Sequence, residues 1–156
     1  MKIKAISLWQ PWASLIAIGA KKYETRSWAT SYRGPLLICA AKGGLPIIEV
    51  RAFLMRPEFY SALSQIIPKR GGIEVYPYLP FGQAVAIVDL TDCIRTELFK
   101  RGHPVFLREN IFGDFSSGRY AWKLENVRAV EPFPVRGRQG LFDVEVDPCI
   151  LESTAV

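Results

Sequence analysis

The sequence predicts an α+β fold, about six strands with inserted helices curled into a small, partly closed β-barrel. Three observations predict it. Short apolar or alternating runs recur along the chain at residues 2–8, 35–41, 83–90 and 141–146. Helical periodicity is confined to the segments between such runs. The 156 residues, 49% of them hydrophobic, suit one domain with a substantial core.

Lys2 to Leu8 alternates as a first strand. Gln10 to Ile18 reads as a short helix with Trp12, Leu15 and Ile16 on one face. Pro11 suits its first turn, where a missing N–H costs nothing, and Gly19 suits the stop just past its end. Lys22 to Trp28 reads as a strand. Alternation puts Lys22, Glu24, Arg26 and Trp28 on one face and Tyr23, Thr25 and Ser27 on the other.

Gly34 turns the chain into a continuous apolar run, Pro35 to Ala41, read as a buried strand. Pro46 to Leu54 and Glu58 to Ile67 read as helices, broken apart by Pro57. Pro68 to Pro80 carries Gly71, Gly72 and Pro77 and reads as loop. Gln83 to Leu90 is a further buried strand. A polar, partly helical connection spans Arg95 to Phe112, and Arg119 to Val130 reads as a long strand. Leu141 to Val146 closes the sheet with Phe142, Val144 and Val146 inward. With no internal repeat, low-complexity segment or linker, residues 1–150 are expected to form a single domain and residues 151–156 a C-terminal tail.

Twenty Lys and Arg against 15 Asp and Glu give a formal charge of +5, which permits an anionic partner. The cations fall in two groups: Lys21, Lys22, Arg26, Arg33 and Lys42, then Arg119, Lys123, Arg128, Arg136 and Arg138. Both groups are interleaved with aromatic residues. They are expected to form one basic, aromatic-lined surface, the alternative being two solvated faces.

Cys39, Cys93 and Cys149 form no CxxC. The first two sit in apolar runs and read as buried, reduced thiols. His103 is the sole histidine, which argues against a His/Cys zinc site and a histidine-based triad. There is no P-loop and no GxGxxG, so no cofactor is expected. The N-terminus alternates like a strand and does not read as a signal peptide, and no apolar run approaches membrane-span length. A cytoplasmic protein without a membrane partner is the expectation.

The stretch from Ser7 to Gly34 carries the sharpest signal. It reads Ser7-Leu8-Trp9-Gln10-Pro11-Trp12-Ala13, then Gly19-Ala20-Lys21-Lys22-Tyr23-Glu24-Thr25-Arg26, then Tyr32-Arg33-Gly34. This resembles the ASCH family, whose hallmark is Gly-x-Lys-x-x-Glu-x-Arg after a short helix. Within that family it is most like the subgroup that includes the ASCH domain of the thyroid-receptor coactivator. Gly118-Arg119-Tyr120-Ala121-Trp122 and Pro132-Phe133-Pro134-Val135-Arg136-Gly137 are similar to the family's closing strands. The resemblance implies a PUA-like barrel with added helices. It is weak between roughly Leu45 and Pro80.

Glu24 and Arg26 lie two residues apart on one strand face, roughly 6.6 Å between Cα atoms, and Lys21 is close enough to reach the same space. A carboxylate set between two cations suits an orienting group better than a general acid. Lys21 and Arg26 would then present charge to an anion or a carbonyl. The bland alternative is a surface ion-pair cluster.

Two functions follow. The first is binding of single-stranded or structured RNA, with phosphates on Lys21, Arg26, Arg33, Arg119 and Arg138 and unpaired bases stacked on Trp9, Trp28 or Tyr120. Trp12, on the helix's apolar face, reads as packing only. The second is hydrolysis of a modified nucleoside. Some ASCH members remove the acetyl group from the exocyclic amine of cytidine with a Lys, a Thr three residues later and a Glu further along. Lys21 matches the lysine and Glu109 the later glutamate, but Glu24 stands where the threonine would be. That leaves Lys21, Glu24 and Glu109 as the catalytic candidates, acting on water or in metal-assisted RNA cleavage, with no metal ligands assigned.

The turn from Phe112 to Tyr120 is rich in Gly and Ser and reads either as an ordinary turn or as one whose amides approach a phosphate. Arg136-Gly137-Arg138-Gln139-Gly140 is a similar basic turn and is placed beside the same cleft.

Overall fold

In a computed structural model, which describes residues 1–152, six strands form one curled sheet, a half-barrel. The strands are β1 (Lys2–Leu8), β2 (Tyr23–Arg26), β3 (Gly34–Ala40), β4 (Gln83–Arg95), β5 (Tyr120–Pro134) and β6 (Phe142–Glu145). Their order across the sheet is β2-β5-β4-β3-β1-β6. The β1–β3 pair is parallel, and the other neighbours are antiparallel. The helices are α1 (Trp12–Ala17), α2 (Ile47–Leu54), α3 (Pro57–Leu63), α4 (Pro104–Glu109) and α5 (Pro148–Glu152).

The apolar runs of β3 and β4 are explained by burial on both faces. Leu36, Ile38 and Ala40 pack with Ile6, Leu8, Ala13 and Ile16 under α1. Leu37 and Cys39 face the other way, onto Ile3, Ala5, Phe142 and Val146. The sheet curls where its register slips. The β4–β5 ladder shifts at three places, and each bulge bends the strand and increases its twist. One slip coincides with Asn126, which takes a left-handed φ of 50° and donates from Nδ2 to Asp89 Oδ2 at 2.8 Å. Asn is among the few side chains that tolerate that region.

Residues 45–80 build a helical layer with its own core. Val50, Leu54, Phe59, Leu63, Val75 and Leu79 close around Leu15 of α1 and Phe112. The expected loop there includes a short 3-10 turn, Tyr76–Tyr78.

The structure extends several expected boundaries. β4 continues past Leu90 to Arg95, because residues 92–95 pair with 120–123. β5 continues past Val130 to Pro134, with Pro132 inside a register slip and Pro134 as the strand's last residue. Lys22, expected on the strand face with Glu24, precedes β2 instead. Cys39 is buried, and burial pushes its thiol up to about 12. Cys93 is only half-buried, and Cys149 is exposed. α5 crosses the expected tail boundary, and residues 153–156 of that tail lie outside the described residues. No helix among the described residues is long and apolar enough to cross a membrane.

Candidate functional site

The site is assembled at the exit of α1. Gly19, with a φ of 80°, ends the helix. Its N–H donates to Ile16 O at 2.9 Å, and the Ala20 N–H donates to Leu15 O at 3.0 Å. These two bonds form a Schellman stop, which needs a left-handed residue at the glycine position. The reversal sends Lys21 inward, where it is 1% exposed. Its Nζ donates to Phe112 O at 2.9 Å and lies 3.8 Å from Glu24 Oε2. Burial pushes the Lys21 pKa down, while Glu24 and Glu109 oppose the shift. Lys21 is therefore a buried footing beneath the site rather than an exposed contact for an anion.

Above it, Glu24 and Arg26 share a face of β2 as expected, with Arg26 Nε 3.5 Å from Glu24 Oε1. Arg26 Nη2 donates to Ser7 O at 3.0 Å, which ties β2 to the end of β1. Arg119 arrives from the start of β5. Its Nη2 donates to Thr25 O at 3.1 Å, and its Nε lies 3.5 Å from Asp114 Oδ2. Thr25, expected to turn away, is buried with its Oγ1 accepting from the Asp114 N–H at 3.2 Å.

Three open clefts run together here. The first, about 340 Å³, is lined by Ser7, Trp9, Trp12, Glu24, Arg26 and Arg119 among others. The second, about 510 Å³, shares Trp9, Trp12, Glu24 and Arg119 and reaches Lys21, Arg56 and Asp114. The third, about 390 Å³, shares Ser7, Trp9 and Arg26 and adds Trp28, Arg138 and Gln139. Trp9 borders all three and is 52% exposed. Gly44 sits beneath it, where a Cβ would come within 2.5 Å of the indole. Trp28, 36% exposed, packs edge-on against buried Trp122 at 4.8 Å.

Among the described residues, four buried side-chain polar atoms lack a hydrogen-bond partner: Ser7 Oγ, Glu24 Oε2, Arg26 Nε and Arg119 Nε. All four residues line the first cleft. Three of the four still face an opposite charge, Glu24 Oε2 at 3.8 Å from Lys21 Nζ and the two Nε atoms at 3.5 Å from Glu24 Oε1 and Asp114 Oδ2, so a strained ion-pair network stands behind one opening.

The structure thus brings together Trp9, Glu24, Arg26, Trp28, Arg119 and Arg138, with Lys21 below. It does not bring in Arg33, which donates to the carbonyls of Thr30 and Tyr32 and pairs with Asp92 at 3.8 Å. Tyr120 packs against the core beneath the sheet. Glu109 is buried, and both its carboxylate oxygens accept from the Lys22 N–H, at 3.1 and 3.2 Å. Burial pushes its pKa up, with the Lys22 amide pulling against that. Its carboxylate secures the backbone entering β2 and lines none of the three clefts.

Several amides of the 112–120 turn are likewise spent within the protein, those of Phe112 and Asp114 among them. Ser116 N–H goes to Asp114 Oδ1 at 3.0 Å and Gly118 N–H to Glu97 Oε1. The two expected basic groups meet in these clefts through Lys21 and Arg26 of the first and Arg119 and Arg138 of the second, but not every member joins them. Lys22, Arg108 and Lys123 line a separate hollow that shares no residue with the three clefts, and Arg128 donates to Leu151 O.

Sequence reasoning passed over three residues. Ser7 reads as an ordinary polar position on a strand. Trp12 was expected only to pack, and it does pack edge-on against Phe53 at 5.0 Å, yet it also lines two of the clefts. At Gly137 a Cβ would come within 2.7 Å of Ser7 Oγ, and only its place between two arginines hinted at that.

A half-barrel whose Gly-x-Lys-x-x-Glu-x-Arg segment supplies both the footing and the wall of one cleft is an ASCH architecture. Residues 6–134 match the ASCH domain, and the chain belongs to that family. It is 31% identical over 143 residues to mouse Activating signal cointegrator 1 and 30% identical to the human protein. Those matches cover 90% of this chain but only 22% of either relative. The fold is shared with the crystal structure of ASCH from Zymomonas mobilis, at a TM-score of 0.50 and 17% identity over 91% of this chain and 87% of that one. A tyrosine-to-phenylalanine point mutant of the same bacterial protein gives a TM-score of 0.50 at 13% identity, over 91% and 89% of the two chains.

Proposed function

We propose that this ASCH domain binds nucleic acid, single-stranded or structured RNA, along the three joined clefts. The observation that carries the reading is the gathering of Ser7, Glu24, Arg26 and Arg119 along joined openings flanked by exposed Trp9 and Trp28. Arginines held by backbone carbonyls offer pre-placed donors, and exposed indoles offer stacking surfaces for unpaired bases. Arg138, on the exposed turn after β5, extends the positive charge along the third cleft. We place this activity in the cytoplasm.

The test is fluorescence anisotropy with short single-stranded RNAs over a salt series. Affinity should fall steeply with salt, because each phosphate contact releases counterions. Arg26→Ala should weaken binding by about tenfold. A flat salt response, or no binding at low salt, would remove the reading.

A second reading, amide hydrolysis on acetylated cytidine, is favoured by one observation. Lys21 is held in a buried setting that pushes its pKa down, beside Glu24 and at the bottom of the second cleft. A lysine so placed is better suited to take a proton than an exposed one. Against it, Glu24 occupies the nucleophile's position and Glu109 is committed to backbone amides. Acetate release from acetylated cytidine over hours, at high protein concentration, decides it.

A further inference from the structure

We propose that the outer face of the helical layer, formed by α2 and the segment just before the 3-10 turn, is a surface on which a second copy of this chain docks about a two-fold axis.

Among the described residues, the three most exposed large apolar side chains are Ile73, Met55 and Ile48, at 86%, 83% and 77%. All three belong to this one layer. Ile48 and Met55 lie two turns apart on α2 and its cap, so they share the helix's outer face with Arg51 between them, while Val50 and Leu54 are buried on the inner face. Met55 and Ile73 border an open groove of about 370 Å³, floored by Leu54 and Val75 and walled by Tyr60. The Tyr60 hydroxyl donates to Ile73 O at 3.2 Å, which ties the wall to the loop opposite. A single exposed apolar side chain is ordinary, but a cluster of them around one groove marks a surface that another molecule covers.

The charges at the rim point to the occupant. Arg51 Nε lies 2.7 Å from Glu74 Oε1, and the two side chains are 51% and 52% exposed. They are the two charged residues of the lining, so the groove carries no net charge. A nucleic acid or an anionic membrane selects cations and gains nothing from such a balanced face. A two-fold axis instead sets the same patch on both sides of the contact, so that each residue meets its reciprocal partner. Arg51 of each copy then faces Glu74 of the other, and two exposed pairs become one ring of alternating charge around the joined apolar side chains. The guanidinium is already held for this, since it also lies over the Tyr76 ring at 5.0 Å from the centroid. The groove shares no residue with the three clefts, so the contact stands independently of the nucleic-acid reading.

The patch falls short of the roughly 20–30 residues a side of a standard interface, so the dimer should be weak, with a Kd of about 10–100 µM. The test is sedimentation velocity on the full chain from about 1 to about 500 µM, a range that brackets this Kd. The average mass should rise with concentration from 17.6 kDa towards twice that value. Met55→Glu and Ile73→Glu, at solvent-facing positions, should each weaken association by at least about tenfold while leaving the melting temperature near that of wild type. Arg51→Glu and Glu74→Arg should each stay monomeric alone, because like charges then face one another across the axis. Mixed together they should associate, because each cross-pair again joins opposite charges. The wild-type dilution series stands even if a variant folds poorly. A mass of one chain at every concentration overturns the proposal and leaves the face to a different protein. Association that survives both Met55→Glu and Ile73→Glu, or charge variants that fail to rescue one another, also overturns it, because the copies then meet elsewhere.

Discussion

Two basic regions of this domain hold their cations in different ways. In the clefts, Arg26 and Arg119 are half-buried and pinned by the carbonyls of Ser7 and Thr25, and each Nε faces a carboxylate oxygen at 3.5 Å. In the separate hollow of about 430 Å³, Lys22 and Arg108 are exposed and Lys123 lies 3.3 Å from Glu125 near solvent. The difference is one of preorganisation. A pinned arginine has already lost its side-chain freedom, whereas an exposed lysine must lose it on binding. Counting positive charges gives the two regions similar weight. Asking which carbonyl holds each cation separates them.

The largest expected effect lies under the clefts. Lys21→Ala removes a buried stem, frees Phe112 O and leaves Glu24 without its buried partner. Breaking a buried pair and opening a void should cost about 3 kcal/mol of stability, offset in part by the ammonium's relieved desolvation. For a chain of this size the melting temperature should fall by roughly 6–12 °C. Lys21→Met, which keeps the volume, should recover part of the loss. A change under about 1 kcal/mol in chemical denaturation would show that the pinned region has no special footing.

The same lysine has a pH signature. Its folded pKa lies below its ordinary 10.5, so the unfolded chain binds the proton more tightly. The stability it contributes is present above pH 10.5 and is lost as pH falls through the folded value. The gap between wild type and Lys21→Met should therefore move in favour of wild type as pH rises from about 7 towards 10, in denaturation curves read side by side. A gap that is constant with pH would contradict the buried, desolvated ammonium.

A smaller effect sharpens the comparison at the rim. Gly137 approaches Ser7 so closely that a Cβ would lie 2.7 Å from Ser7 Oγ. Its φ is not in the left-handed region, so Gly137→Ala suits the backbone and acts through that contact. The serine must rotate to make room, which disturbs the hydroxyl facing the cleft. RNA affinity should drop by a few-fold while stability changes by less than about 1 kcal/mol. An equal loss in both would mean that Gly137 serves packing alone.

How far the sequence announced all this depends on the kind of residue. The stop at Gly19 and the shared face of Glu24 and Arg26 follow from local geometry, and they were legible. The burial of Lys21 was not, because the carbonyl that receives its ammonium belongs to Phe112, far along the chain. The runs buried on both faces in β3 and β4 were legible too, because apolar residues without alternation report that burial. The ends of β4 and β5 were not. Thr91 to Arg95 is mostly exposed, with Cys93 and Ile94 only half-buried, and its pairing with Tyr120 to Lys123 makes it strand. Pro132 falls within a register slip of the β4–β5 ladder, which spares the strand its missing N–H.

In the candidate site, the residues that stayed hidden act through atoms shared by every amino acid or through an absent side chain. Ser7 contributes a carbonyl as well as its hydroxyl, and Gly137 contributes room. Glu109 misled for the converse reason. Its identity suggests acid–base chemistry, whereas its position commits it to the Lys22 amide.

The smallest expected effect belongs to the second basic region, and it is the one that can break the comparison. Lys22→Ala and Lys123→Ala remove charge from a hollow where no donor is pinned and the Lys123 ammonium already has Glu125 beside it. If the clefts carry the binding, each change should alter RNA affinity by no more than about twofold at moderate salt. Such a residue acts only through a field that salt screens within about 8–10 Å. The slope of affinity against salt should stay near the wild-type value, since a contacted phosphate contributes about one unit to it. Arg138→Ala, at the rim of the third cleft, is the matched control and should lower that slope by about one. If Lys22→Ala or Lys123→Ala lowers the slope as much as Arg138→Ala does, the strand crosses both regions. Pinning would then no longer mark the binding face, and the path of the nucleic acid would have to run around the β2–β5 edge of the sheet.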